Sequence, residues 1–443
     1  MNTRADVLIV GAGSAGSVLA ERLSADPARR VMVLEAGPDR STPAIRALTD
    51  DATVLPIGPD SPVARHYRSA LTGTRSADIV RGSVVGGSGA VNGGYFCRAL
   101  PTDFADGVPG WSWAEVEPHY RAVETLIAAT PRDDFAPSTA AFAAAADQAG
   151  IRRLADLNTE QGPGLSAVPL NITGGMRRGP GAVFLEPALA RPNLTVRAGT
   201  RVKRLSVTGG RVSGVEAVGP AGDLLLQADQ VVLCAGAVES AHLLMLSGIG
   251  PAGALTALGI PVVADLPVGR RCQDHPEWLI ATAWPAVTGH PVLEAVLVND
   301  GMEIRPYTTG FGADSTAIGV ALMRPRSRGR ITLASSDPAV APHIEQRYDS
   351  EPTDVADLQR GCDLVAEIIG GATELGEPVW STSQHLCGTA PMGEAGHAVV
   401  DPTCRVLGVD GLWVVDGSVL PRIPSRGPHA TIAMVAHRAA EFL

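Results

Sequence analysis

The stretch ADVLIVGAGSAGSVLAERLSAD, residues 5–26, decides the fold. Residues 6 to 10 make an apolar run short enough for a buried strand. Gly11, Gly13 and Gly16 follow at once, and Ala15, Val18, Leu19 and Leu23 then recur on one face of a helix. A second strand, VMVLEAG, ends on Glu35. The glycines allow a tight turn, close backbone approach to a pyrophosphate and close packing of helix on strand, while the helix N-terminus offers unpaired N–H groups to the anion. Glu35 falls where an acidic side chain accepts hydrogen bonds from an adenosine ribose. Together these features predict a dinucleotide site and leave open whether it takes NAD or FAD, since both present an ADP half.

Composition narrows the class. A chain of 443 residues, 45% of them hydrophobic, can fill two domains or one large domain with insertions. The formal charge of −10 argues against a nucleic-acid partner, which would call for basic clustering. Cys97, Cys234, Cys272, Cys362, Cys387 and Cys404 lie apart without a CxxC pair, which speaks for reduced thiols in a cytoplasm rather than a zinc or disulfide framework. The first strand starts too close to Met1 for a signal peptide, and no apolar run is long enough to span a bilayer.

Further along, RGSVVGGSGAVNGG, residues 81–94, is too rich in glycine for an element interior and predicts a loop whose backbone approaches something closely. WSWAEVEPHYRAVETLI and AAFAAAADQAG, between 111 and 150, have helical spacing; RPNLTVRAGTRVKRLSVTGGRVSGVEAV, 191–218, predicts short strands about a Gly-Gly turn. VVLCAGAVESAHLLMLSGIGP repeats the opening logic with a buried strand at 231 to 234, a helix near 239 to 246 and a Gly248 cap. From 276 to 384, including RGRITLASSDPAVAPHIEQRY, hairpin character without βαβ alternation predicts a separate antiparallel sheet. GLWVVDGSVLP and HATIAMVAHRAAEFL close the first domain.

One short stretch bears on chemistry. STSQHLCGTAPMG, residues 381–393, places His385 two residues from Cys387 beside a Gly-Thr turn. Taken alone it fits a metal ligand, a catalytic base or a buried structural ring. A metal is disfavoured because the neighbouring residues supply no complete ligand set.

Taken together, the motifs resemble the glucose-methanol-choline (GMC) family of FAD-dependent oxidoreductases over almost the whole chain. RGSVVGGSGAVN at 81–92 is similar to its first signature and GAVESAHLLMLSGIG at 236–250 to its second, with Ala241 a mild departure. PGWSWAEVEPHY, LPVGRRCQDHP, HLCGTAPMG and VVDGSVLP follow in the family's order. The resemblance implies that Gly11, Gly13, Ser14, Gly16 and Glu35 hold the ADP half of FAD, and that Arg81, Gly86 and Asn92 lie near the pyrophosphate or the flavin ring. It implies adenine contact at the Val202 backbone, and Asp416 and Gly417 beside the ribityl and pyrophosphate groups. Members that bind FAD covalently do so through a histidine where this chain has Val91, so the cofactor is expected to be non-covalent.

The resemblance also assigns His385, in its H-x-x-G-T motif, as the base that accepts the substrate hydroxyl proton while hydride leaves carbon for flavin N5. An imidazole with an ordinary pKa of ~6.5 suits that task. The family's second histidine or asparagine falls in register on Gly427, and His429 lies two residues later. Either a short bulge brings His429 in as the catalytic partner, which we favour, or His429 faces the flavin edge and one base suffices. Pro428 and Thr431 start a final helix whose positive end would stabilise charge on the reduced flavin. The arginines of MRPRSRGR, His275, Trp111, Trp113 and Cys387 are given structural readings.

The expectation is an α/β protein. A discontinuous Rossmann-like FAD-binding domain takes residues 1–100, 191–275 and 385–443, and a smaller α+β substrate domain with an antiparallel sheet takes 101–190 and 276–384. It oxidises CH–OH donors, with a hydroxynitrile lyase or a non-catalytic FAD-binding protein as alternatives. The chain is short for the family between 276 and 330, which implies an open site and a bulky substrate. The compact form resembles the dehydrogenase of the mycofactocin system, implying a reduced peptide-derived cofactor as donor. The acceptor is left among oxygen, a quinone and the respiratory chain, with a cytoplasmic location and membrane association only at the periphery.

Overall fold

The computed structural model describes residues 4–105, 107–132, 134–394 and 396–443. The opening stretch forms strand Arg4–Val10 and helix Ser14–Ser24, with Val7, Leu8 and Ile9 fully buried. Gly11 has φ 102°, and a Cβ there would lie 2.5 Å from the Cys234 carbonyl oxygen. At Gly16 a Cβ would lie 1.9 Å from the Gly11 oxygen, so only glycine lets this helix start against this strand.

Arg4–Val10 pairs in parallel with Val31–Leu34 on one side and with Gly222–Leu233 on the other. Leu194–Arg197 extends the sheet beyond Val31–Leu34. The far edge of Gly222–Leu233 is shared. Its second half takes Leu412–Val414 in parallel, and its first half turns into antiparallel pairing with Arg211–Gly219, which in turn pairs with Arg201–Thr208. The Rossmann-like unit is therefore assembled from both ends and the middle of the chain. Glycine supplies the stop after helix Gly236–Leu246, where Gly248 has φ 83°.

A second, six-stranded sheet runs in the order Val379–Thr382, Pro276–Pro285, Ser315–Leu322, Met302–Pro306, Ala295–Asn299, Gly164–Ala167, all antiparallel. Helices Pro137–Gln148 and Pro352–Ile369 pack on it and form its own core. The second of these was not expected within a region read as strands and hairpins. Leu358, Cys362, Val365, Ile368 and Ile369 are buried at helical spacing, and Gly361 permits the approach, since a Cβ there would meet Val320 Cγ1 at 2.4 Å.

Packing departs from the expected division in two places. Helix Trp113–Ile127 lies against the C-terminal helix His429–Ala439 and buries Val116, Tyr120 and Val123 in the core of the nucleotide-binding unit, not of the substrate unit. Strands Ala64–Ala70 and Ser76–Gly82 join Arg330–Thr332 and His343–Glu345 in a four-stranded sheet that ties the two units together. Among the described residues no helix is long and apolar enough to cross a membrane.

Candidate active site

A cavity of about 590 Å³ runs from the C-terminal end of the parallel strands to the antiparallel sheet. Gly11, Gly13, Ser14 and Glu35 line one end, Val202 stands beside them, and Arg81, Asn92, Asp416, Gly417, Pro428, His429 and His385 line the remainder. Gly16 and Gly86 were expected among these residues and lie one layer behind. Gly16 serves helix packing, and the Gly86 N–H donates to the Ala12 carbonyl at 2.8 Å, fastening the 81–94 loop to the first turn.

Glu35 is fixed at the end of its strand by two backbone donors, Ala12 N–H to Oε2 and Gly37 N–H to Oε1, each 2.9 Å. Burial nevertheless pushes its carboxyl up to about 7. Two bonds leave lone pairs for hydroxyl donors, as an adenosine ribose would supply. Asp416 differs. Gly236 N–H, Ser240 Oγ, Ser418 N–H and Ser418 Oγ donate to its two oxygens at 2.5–2.8 Å, so it shapes the backbone of the cradle.

The deeper end tests whether a flavin fits. Gly94 N–H donates to Asn92 Oδ1 at 3.0 Å, which makes the other Asn92 amide atom the NH₂ group, 3.0 Å from His429 Nδ1. His429 therefore accepts at Nδ1 and carries its proton on Nε2, which is buried with no hydrogen-bond partner. A Cβ on Gly89 would lie 2.6 Å from Ser14 Oγ and 2.8 Å from His429 Nε2. An orphan donor over a bare glycine backbone, with the ribose acid at the far end, fits a dinucleotide with a heteroaromatic ring.

His385 is held by a second, stricter arrangement. Gln273 and Cys387 exchange backbone hydrogen bonds of 2.8 and 3.0 Å, setting the chain before His275 beside the chain after His385. Buried Asp274 Oδ1 then accepts the backbone N–H of both histidines, at 2.8 Å from His275 and 2.7 Å from His385. Gln384, with φ 66°, makes the strained step into the site, anchored where its Oε1 accepts from Val80 N–H and Arg81.

His275 has a structural reading from the sequence; in the fold its ring touches His385 directly. Its Nε2 lies 3.0 Å from the Pro424 carbonyl oxygen, which can only accept, so Nε2 carries the proton. The neutral ring must then accept at Nδ1, 2.9 Å from His385 Nδ1. His385 consequently donates from Nδ1 and keeps its lone pair on Nε2. Burial lowers His385 well below the usual histidine value, helped by the charges around it, and holds His275 down to about 3. Both rings are neutral at pH 7.

His429 is expected from the sequence to join His385 as a second catalytic group; both rings line the same cavity, and a charge on His429 would lower His385 further. Gly427 keeps the place beside the base, for a Cβ there would lie 3.5 Å from His385 Cε1 and 3.0 Å from the Tyr95 ring. His429 also lines the cavity beside Asn92, and burial holds it at about 4. Thr431 sits behind it, its hydroxyl 2.7 Å from that of Tyr120.

The far wall is polar and was not legible as a site in the sequence. Arg305 spends its donors on Glu303, Glu277, Ser383 and the Met323 sulfur; Tyr307 donates to Glu277 at 2.7 Å and Tyr95 to Glu303 at 2.9 Å. Gly319 makes the room, since a Cβ there would meet Glu277 Oε1 at 2.0 Å. Of this network, Glu277, Arg305, Tyr307, Tyr95 and Ser383 reach the cavity.

A nucleotide cradle joined to a locked histidine base defines a flavin-dependent oxidoreductase for alcohols. The chain belongs to the GMC oxidoreductase family, whose models match residues 5–277 and 325–436. It is 39% identical, over 99% of its length and 98% of the relative's, to an uncharacterized GMC-type oxidoreductase of Rhodococcus erythropolis. It is 30% identical to an oxygen-dependent choline dehydrogenase of Brucella ovis, over 99% of this chain and 95% of that one. Pyridoxine 4-oxidase, a solved structure, superposes with a TM-score of 0.87 at 28% identity, covering 99% of this chain and 98% of its own. The cofactor is FAD.

Proposed function

We propose that the protein oxidises the CH–OH group of a small-molecule alcohol, with His385 Nε2 taking the hydroxyl proton. The observation that carries this reading is the tautomer lock running from Pro424 through His275 to His385, which aims one basic nitrogen at the cavity. FAD supplies the two-electron acceptor when bound. The chain's part is to deprotonate the donor, because an alkoxide gives up hydride far more readily than an alcohol, and to keep the base neutral and dry until it does. The Glu277–Arg305–Tyr307 wall orients polar groups of the donor. Val91, which offers no nucleophile, lines the cavity and keeps the cofactor non-covalent.

The alignment with the choline dehydrogenase runs over 531 positions against 443 residues here, so that relative carries insertions this chain lacks. Phe311 on the cavity wall is 46% exposed. Both favour a bulky donor, and the reduced peptide-derived cofactor of the mycofactocin system, passing electrons towards the respiratory chain from the cytoplasm, is the donor we place first on test. The experiment is an anaerobic visible spectrum of the FAD-loaded protein during addition of primary alcohols and reduced mycofactocin. Bleaching of the oxidised-flavin band is expected. An unchanged band throughout would turn the reading to a lyase or to a cofactor carrier without turnover.

A further inference from the structure

A second cavity, of about 290 Å³, opens behind the histidine pair. Its walls continue the strands of the active site. Arg271, Cys272 and Gln273 lead towards His275, and Gly388, Pro391 and Met392 lead away from His385. Arg328 and Arg422 complete the wall, so three guanidiniums converge on one concavity of a chain whose net charge is −10. Among the described residues one carboxylate, Glu394, shares that wall.

Arg328 is built in rather than trailing in solvent. It is half-buried, and its Nη1 donates to the carbonyls of Pro325, Arg326 and Ser327 at 2.9, 2.8 and 3.0 Å. One nitrogen spent on three carbonyls fixes the guanidinium plane and leaves Nε and Nη2 outside that clasp. Burial lowers its pKa, and the charges of Arg271 and Arg422 lower it further against the help of Asp354. Holding like charges together in a partly buried hollow costs free energy that an anion would return. Guanidinium forks suit phosphate and carboxylate oxygens, which they meet with paired, charge-assisted hydrogen bonds.

We propose that this hollow is a binding site for a small soluble oligoanion, a phosphate ester or a di- or tricarboxylate, separate from the FAD and alcohol cavity. The MRPRSRGR stretch thereby takes a binding role through Arg328. The inference stands independently of which alcohol the enzyme oxidises.

The test is calorimetric titration of FAD-loaded protein, so that the pyrophosphate end of the main cavity is already filled, with inorganic pyrophosphate and with citrate at constant ionic strength. One saturable site per chain is expected with at least one probe; a preference for pyrophosphate assigns phosphate esters, and the reverse assigns carboxylates. Arg271→Glu, at an exposed position, should weaken binding at least about tenfold, as loss of a charge-assisted contact does. Arg328→Gln should do the same, while Arg46→Glu, which removes an exposed charge elsewhere, should leave affinity unchanged. No saturation with either probe, equal weakening by Arg46→Glu, or indifference to both wall variants would overturn the site.

Discussion

His385 and His275 illustrate what a single proton position decides. Had the Pro424 carbonyl been a donor, the relay would run the other way and His385 would present N–H instead of a lone pair to the substrate. Replacing His385 with Ala should lower kcat by roughly 10²–10⁴ with the flavin spectrum intact. His275→Phe, which removes the acceptor but keeps a ring, should give a smaller loss in kcat with KM little changed, both read from steady-state kinetics. Because burial holds His385 below the ordinary value, protonation should silence the base only in acid: the acid limb of kcat/KM should lie below pH 6.5, and a limb at or above that pH would contradict the geometry. His385 could be singled out as the candidate base from its motif. Its partner could not, since the two rings are 110 positions apart and QDHP carries no local mark of a relay.

Among the elements, the 81–94 loop shows why glycine density was readable as function while its contacts were not. Composition told that a backbone must come close to something; only the fold shows that Gly87 faces Gly13, where a Cβ would stand 2.6 Å away, and that Gly89 faces Ser14 and His429. Gly89→Ala should therefore yield a folded protein that loses FAD on gel filtration, measured as the ratio of flavin to protein absorbance, while Gly58→Ala, with nothing near its Cβ, should retain it. The strand Met302–Pro306 marks the opposite limit. It is buried at every position, so Glu303 and Arg305 break the apolar run without betraying which wall they build, and their partners lie elsewhere, Glu277 on another strand and Ser383 just past the end of Val379–Thr382. Helix Pro352–Ile369 was readable in principle from its apolar spacing, yet it lay hidden in a region whose flanks are all strands.

Across the whole molecule, protonation links the site to stability. His119, His275, His385, His429 and His437 all sit below the ordinary histidine value because burial disfavours their charged forms. The unfolded chain takes up those protons first, so stability present above about pH 6.5 is lost as pH falls, each ring contributing up to about 1.4 kcal/mol per pH unit. Glu35, raised to about 7, and Asp274 and Asp416, also raised by burial, act in the opposite sense as they take up their protons on acidification. Five rings against those three carboxyls predict a thermal midpoint that drops between pH 7.5 and 5, checked by calorimetry; a flat or rising midpoint would show the rings are not buried neutral. A further consequence follows from the shared edge of strand Gly222–Leu233, whose neighbours are the first strand of the chain and Leu412–Val414. During synthesis the ribosome releases the first strand long before its distant companions, and His429 emerges later still. The growing polypeptide therefore cannot close its cradle, and capture of FAD waits until those later segments have emerged.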